Sequence, residues 1–242
     1  MSLNIYHYNF CLPMKVLLAT LLFFLFSFTT PCDDKPVPPC DEAETVFQTS
    51  AIMSAPWVTL GYLPGKEVPS LTLFDTERQI LSLTDDSHKK TKPLLIVTGS
   101  YTCDISRKNL PSLLHLEEKF GSKVDIMIVY TMDAHPYDSP SPYSPTGEVS
   151  IAMDNVRNNI KAEQPKTYKE RVELAKAWVR ENAISVPIFI DNPQNEFWWA
   201  FGQGPNMCYL INTEGKVAFR ELWFNERNTK KAIRNLLNQP KY

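Results

Sequence analysis

The chain lacks any basic excess: 242 residues carry 25 Lys and Arg against 27 Asp and Glu, a formal charge of -2. The electrostatic footprint of a nucleic-acid binder is therefore missing, and no DNA or RNA partner is expected. It also lacks an apolar run of bilayer length, because Val16 to Phe28 gives only 13 residues, against the roughly 20 of a transmembrane helix. Its five cysteines and four histidines fall at no metal-ligand spacing, so zinc and copper sites are not expected, nor any other cofactor. No internal repeat is evident. What remains is the composition of an ordinary globular protein, 43% hydrophobic and 21% charged, with length enough for one domain beyond its N-terminal segments.

Those segments read as targeting sequence and linker. Lys15 opens the apolar run Val16 to Phe28, the charged start and short core of a signal peptide. Met14 is an alternative start, since residues 1 to 13 add nothing that a signal needs. Thr29, Thr30, Pro31 and Cys32 follow, then Asp33 and Asp34, an order that resembles a bacterial lipoprotein signal with Cys32 as the lipidated residue. A plain secretory signal, an uncleaved anchor, or a Cys32 to Cys40 disulfide in an oxidising compartment are the alternatives. Each places the folded part outside the reducing cytoplasm or at a membrane. The expected organisation is a leader over 1–31, a Pro-rich polar tether over 32–55, and one domain over 56–242.

Within that domain, Val68 to Thr76 and Gln79 to Leu83 alternate apolar and polar residues around Asp75-Thr76-Glu77-Arg78, a hairpin pattern. Pro93 to Thr98 and Lys123 to Thr131 are runs of the kind that parallel strands buried on both faces require. Between them, Asp104 to Phe120 has mostly helical spacing and ends at Gly121. Further elements follow: a helix over Tyr168 to Glu181, a strand over Val186 to Asp191, and a short aromatic helix over Asn195 to Phe201. The chain closes with a hairpin of Met207 to Asn212 and Lys216 to Leu222 and a helix over Glu226 to Leu237. Alternating strands and helices imply an α/β domain with a mixed central sheet and helices on both faces.

Cys103 is the candidate reactive group. It falls between the end of a buried strand and the first turn of a helix, after Gly99, Ser100, Tyr101 and Thr102. Free amides and the dipole at a helix start favour an anion, so its pKa is expected below the usual value of about 8.5. A buried, inert cysteine is the bland reading; the polar neighbours speak against it.

The stretch from Gly65 to Leu83, followed by Lys92-Pro93-Leu94-Leu95-Ile96, resembles the opening of redoxin domains. The run Gly99-Ser100-Tyr101-Thr102-Cys103 resembles the iodothyronine deiodinase motif, with Cys103 where that family carries selenocysteine. Tyr130 followed by Asp133-Ala134-His135 and Asp138 resembles the family's acidic-Ala-His stretch. Asp191 to Ile211 matches its spacing through Gln194-Asn195, Phe201, Pro205 and Tyr209. The resemblance implies a thioredoxin-like fold, a cis proline at Pro205 beside the active thiol, and a helix kink at Pro111. It makes Ser100, Thr102, Asp133 and His135 supporting residues, with His135 an acid or hydrogen-bond donor that Asp133 would orient.

Departures from the resemblance define further expectations. Ser106 stands where a Cys-x-x-Cys motif has its second cysteine, so no local disulfide forms. Cys208 is the candidate remote resolving thiol, although strand alternation is expected to bury it. Thr102 adjoins Cys103, whereas peroxiredoxins place a threonine three positions earlier. At Met207 the deiodinases of animals carry an arginine that helps hold the iodothyronine carboxylate, which puts a thyroid-hormone substrate in doubt. The aromatic residues Phe197, Trp198, Trp199 and Phe201 are core by default and border the substrate cleft by resemblance. The implied activity is oxidoreduction by the Cys103 thiolate on a soft electrophile: an iodine, a peroxide oxygen or a disulfide sulfur. An external thiol regenerates it. The other reading is a non-catalytic thioredoxin-fold binding module held at a membrane. The sequence does not decide whether the domain forms a homodimer.

Overall fold

Two nearly continuous apolar runs set the centre of the sheet: Leu94–Gly99 (β3) lies parallel to Asp125–Tyr130 (β4), with Leu94 opposite Asp125 and Gly99 opposite Tyr130. Strands without a polar face must be covered on both sides, and alternation divides their side chains between two cores. The computed structural model describes residues 36–47, 60–83, 91–144 and 146–238. Around the central pair, Ile188–Ile190 (β5) lies parallel to β4, and Cys208–Ile211 (β6) antiparallel to β3. Val217–Glu221 (β7) closes one edge against β6. Thr72–Asp75 (β1) pairs antiparallel with β5, and Ile80–Ser82 (β2) with β1, giving the order β2-β1-β5-β4-β3-β6-β7. This is an α/β thioredoxin-like fold with a mixed sheet.

Leu95, Val97, Ile126, Ile128 and Leu210 turn to one face. They pack there on Leu110, Leu113 and Leu116 of the crossover helix Asp104–Phe120 (α1), Trp178 of Tyr168–Asn182 (α3) and Ile233 of Glu226–Leu237 (α5). Leu94, Ile96, Met127, Val129, Tyr209 and Ile211 turn to the other, against Phe197 and Phe201 of Glu196–Phe201 (α4). α1 runs through Pro111 as one helix. A five-residue helix, Met153–Arg157 (α2), sits in a stretch with no helical pattern long enough to announce it.

Local chemistry accounts for the boundaries. The Asp75 carboxylate accepts from the amides of Glu77 and Gln79 at 2.8 and 2.7 Å, and Arg78 takes the left-handed conformation, closing the β1–β2 turn. Thr167 caps α3 by accepting from Glu170 N at 3.2 Å, and Asn225 caps α5 by accepting from Asn228 N at 3.1 Å.

Part of the expected tether is not detached. Residues 36–47 belong to the same compact unit as the sheet. The carbonyls of Asp41 and Ala43 accept from the first-turn amides of α3, Lys169 N at 3.0 Å and Tyr168 N at 2.9 Å. Thr45 N and Val46 N in turn donate to Lys166 O and Pro193 O. Helix starts carry unpaired amides, and here a strap of backbone satisfies them. Composition could not reveal this, because the bonds are made by main chain.

Candidate active site

β3 ends at Gly99, and the turn through Ser100, Tyr101 and Thr102 delivers Cys103 as the N-cap of α1. Gly99 is confined by Trp178: a Cβ there would stand 2.7 Å from the indole. The Cys103 sulfur accepts from Ser106 N at 3.4 Å, so it occupies the anion-favouring position expected of it. It is nonetheless 1% exposed. Burial pushes its pKa up and outweighs the pull of the Ser106 hydroxyl and amide, while Asp104 adds a smaller upward push. The lowered pKa expected from position is thus corrected. A helix start favours an anion by about 0.3–1 kcal/mol, reaching about 2 in partly buried sites, whereas desolvating a charge costs several.

The turn before Cys103 is held from beneath. Asp133, fully buried, accepts at one oxygen from Thr102 N at 2.9 Å and Thr102 Oγ1 at 2.7 Å. Its other oxygen accepts from the Tyr130 hydroxyl at 2.7 Å, and that hydroxyl accepts from Tyr101 N at 3.1 Å. Burial raises the Asp133 pKa against the pull of these donors. Ser100 Oγ accepts from Ala134 N at 3.3 Å, and Thr102 Oγ1 from His135 N at 3.0 Å. Ser100, Thr102 and Asp133 therefore form one bonded block with the end of β4.

Asp133 does not orient the His135 ring, contrary to the sequence expectation, because its oxygens are taken by Thr102 and Tyr130. The ring is set by Ser150 O, 2.8 Å from Nδ1, with Nε2 3.7 Å from an oxygen of Asp104. Nδ1, facing a carbonyl, carries a proton and donates.

Pro205 lies opposite this turn, buried, its carbonyl accepting from Ser106 Oγ at 3.2 Å. Its peptide bond is trans, as are all those of the described residues, so the expected cis proline is corrected. Trans is the lower-energy form of an X–Pro bond. Met207 is fully buried, its sulfur accepting from Gly204 N at 3.3 Å and its amide donating to Thr98 Oγ1 at 2.7 Å. The position compared with a substrate-binding arginine points into the core. Cys208 is fully buried on the α5 side, its sulfur 3.5 Å from Thr229 Oγ1, and burial lifts its pKa to about 12. Cys32 lies outside the described residues; Cys40 is exposed and free.

The aromatic segment is mostly core. Phe197 and Phe201 stack at 4.2 Å, Trp198 is fully buried, and only Trp199 reaches solvent, at 39% exposure. Trp198 has a second role that sequence reasoning missed. Its Nε1 donates to the Tyr143 hydroxyl at 3.2 Å, and Phe47 of the strap packs on the same Trp198–Met132 cluster. The Tyr143 hydroxyl is buried near enough to Cys103 and Asp133 that charge on either raises its pKa further. Arg107 and Asn155 were missed as well. Arg107 stands one helical turn beyond Cys103, a spacing that could have drawn notice; Asn155 and Tyr143 offer no local signal. Among the described residues no three His, Cys, Asp or Glu side chains gather as a metal site, and no helix is long and apolar enough to cross a membrane.

A thioredoxin-like sheet with a helix-capping cysteine, and a serine three residues on in place of a second cysteine, defines the thioredoxin-fold class. The model of the iodothyronine deiodinase family matches residues 64–239, and the chain belongs to that family. No curated protein matches. Among solved structures, a putative protein disulfide isomerase from Bacteroides thetaiotaomicron is 16% identical, with 74% of this chain and 94% of that one covered and a TM-score of 0.49. A putative thiol:disulfide interchange protein DsbE from Chlorobium tepidum is 15% identical, with 74% and 100% covered and a TM-score of 0.49. An exposed lipoprotein thioredoxin from Streptococcus pneumoniae is 15% identical, with 69% and 100% covered and a TM-score of 0.44. At such identities the activity has to be read from the site itself.

Proposed function

We propose that this protein is a thiol-dependent oxidoreductase in which Cys103 attacks a soft electrophile: an aryl iodine, a peroxide oxygen or a disulfide sulfur. The observation that carries the reading is the Cys103 sulfur at the N-cap of α1, accepting from Ser106 N, within a family-matched frame. With a disulfide substrate, the thiolate forms a new S–S bond and one substrate sulfur leaves as a thiolate that takes up a proton. An external thiol then attacks the mixed disulfide, is itself carried into a disulfide by a second equivalent, and returns Cys103. His135, with Nε2 facing solvent-side Asp104 beside Cys103 in the chain, is the candidate proton carrier. Ser100, Thr102 and Asp133 position the turn, and Pro205 fixes Ser106. The N-terminal segment, by signal or by lipid on Cys32, would export the domain or hold it at a membrane.

The test is turnover of iodinated phenols, peroxides and disulfides with excess dithiothreitol by the wild-type chain and Cys103→Ser. Loss of turnover in the variant on at least one class supports the proposal; equal turnover on every class sinks it. A non-catalytic binding module is favoured by one observation, the 1% exposure of Cys103. Failure of the native thiol to react with any of the three electrophiles would select that reading.

A further inference from the structure

The peptide that leads into Cys103 is bonded at both ends. Its N–H, that of Cys103, donates to Ser100 O at 3.2 Å. Its carbonyl, that of Thr102, accepts from Asn155 Nδ2 at 2.8 Å. Asn155 comes from α2, about fifty residues away, and is 1% exposed although polar. Its own oxygen is taken by Arg107, whose guanidinium bonds Asn155 Oδ1 through one nitrogen and Tyr101 O, at 2.6 Å, through the other. Arg107 thus ties the Tyr101 carbonyl directly and, through Asn155, the Thr102 carbonyl. Such a two-pronged contact is specific to guanidinium and is not reproduced by an ammonium.

From this we propose, resting on the reading of Cys103 as the nucleophile, that Asn155 braced by Arg107 is a positioning residue for the Cys103 thiol. Asn155 touches no reacting atom. It fixes the rotation of the 102–103 peptide, and that rotation sets where the Cys103 sulfur stands relative to its donor, Ser106 N. That sulfur contact, at 3.4 Å, is one the tilt of the peptide directly alters. The bridge also explains why a buried asparagine is kept in a helix of five residues whose neighbours Met153 and Val156 are 66% and 60% exposed. Its packing serves the turn rather than a core of its own.

The test reads the pH dependence of Cys103 alkylation by iodoacetamide in the full chain, resolved by mass spectrometry of the peptide bearing Cys103. Asn155→Leu keeps the side-chain shape and removes the donor; Arg107→Lys keeps the charge and removes the fork. Asn155→Leu is expected to move the half-maximal pH upward and slow alkylation at neutral pH roughly fivefold to tenfold, the scale of one lost hydrogen bond. Arg107→Lys is expected to move both in the same direction by less, and it serves alone if Asn155→Leu does not fold by near-ultraviolet circular dichroism. Profiles superimposable on a reactive wild type would overturn the positioning role and leave the nucleophile reading intact. A wild-type Cys103 that never reacts in the folded protein would instead strike at the nucleophile reading itself.

Discussion

The indole N–H of Trp198 donates to the Tyr143 hydroxyl at 3.2 Å, fastening the loop after β4 to α4. Tyr143 and Phe47 pack on Trp198 and Met132, and the Tyr143 hydroxyl lies within electrostatic reach of Cys103. The loop bearing Tyr143 is therefore held near the thiol by Trp198, on which Phe47 of the strap also packs.

Loosening the packing that holds the Tyr143 loop is expected to speed Cys103 alkylation. Phe47→Ala removes a partly buried ring at a cost of about 1–1.5 kcal/mol to the closed form, so labelling at fixed pH rises by up to about tenfold. Iodoacetamide kinetics on Phe47→Ala against the wild type check this. An unchanged rate would show that the strap does not gate the thiol.

Because burial raises the Cys103 pKa, native alkylation is expected to be slow at neutral pH and to climb above the ordinary thiol range near about pH 8.5. In Phe47→Ala the half-maximal pH should fall back toward that range, since hydration of the sulfur removes the main cause of the rise. A half-maximal pH below 7 (on the order of the activated thiols of this fold class) in the wild type would contradict the balance drawn between burial and the helix start.

Cys208 is expected to take no part in turnover. Its thiol is sealed between β6 and α5, and its pKa of about 12 leaves almost no thiolate at neutral pH. Cys208→Ala should keep the rate with an external thiol and lose about 1 kcal/mol of stability in urea. A rate that collapses with this variant would make Cys208 the resolving thiol after all.

Asp191 gives a pH-dependent stability of definite sign. It accepts from Asn192 N, Phe197 N and Trp198 N, each at 2.9 Å, and burial raises its pKa from 3.8 to about 6. Between those values the folded state holds a proton that the unfolded chain has released, so stability falls as pH rises and the fall is complete above about 6. From about pH 4.5 to about pH 6.5 the wild type should lose about 2 kcal/mol relative to Asp191→Asn. Urea midpoints of both proteins at the two pH values measure it; parallel curves would refute it.

Much of the architecture was legible because it is periodic. Asp104 to Phe120 and Glu226 to Leu237 carry their helical spacing and end signals locally, and the strands β3 and β4 announce themselves as apolar runs. The position of Cys103 at a helix start follows from the same local pattern. Strand ends drifted inward, as at Ile188–Ile190, because ladder bonds stop where the partner strand does. The five residues of α2 were missed because so short a helix carries less than two turns of pattern.

By itself, then, the sequence determined the class of fold, the family frame and the one thiol at a helix start, all of which rest on spacing along the chain. Only the tertiary structure decided which way burial moves the pKa of that thiol, what Asp133 holds, which way Met207 faces, and that Asn155 meets the turn at all. The physical reason is that a pKa follows from desolvation and distance, and both depend on segments brought together from as far apart as Phe47 and Trp198. No local window of sequence contains those distances.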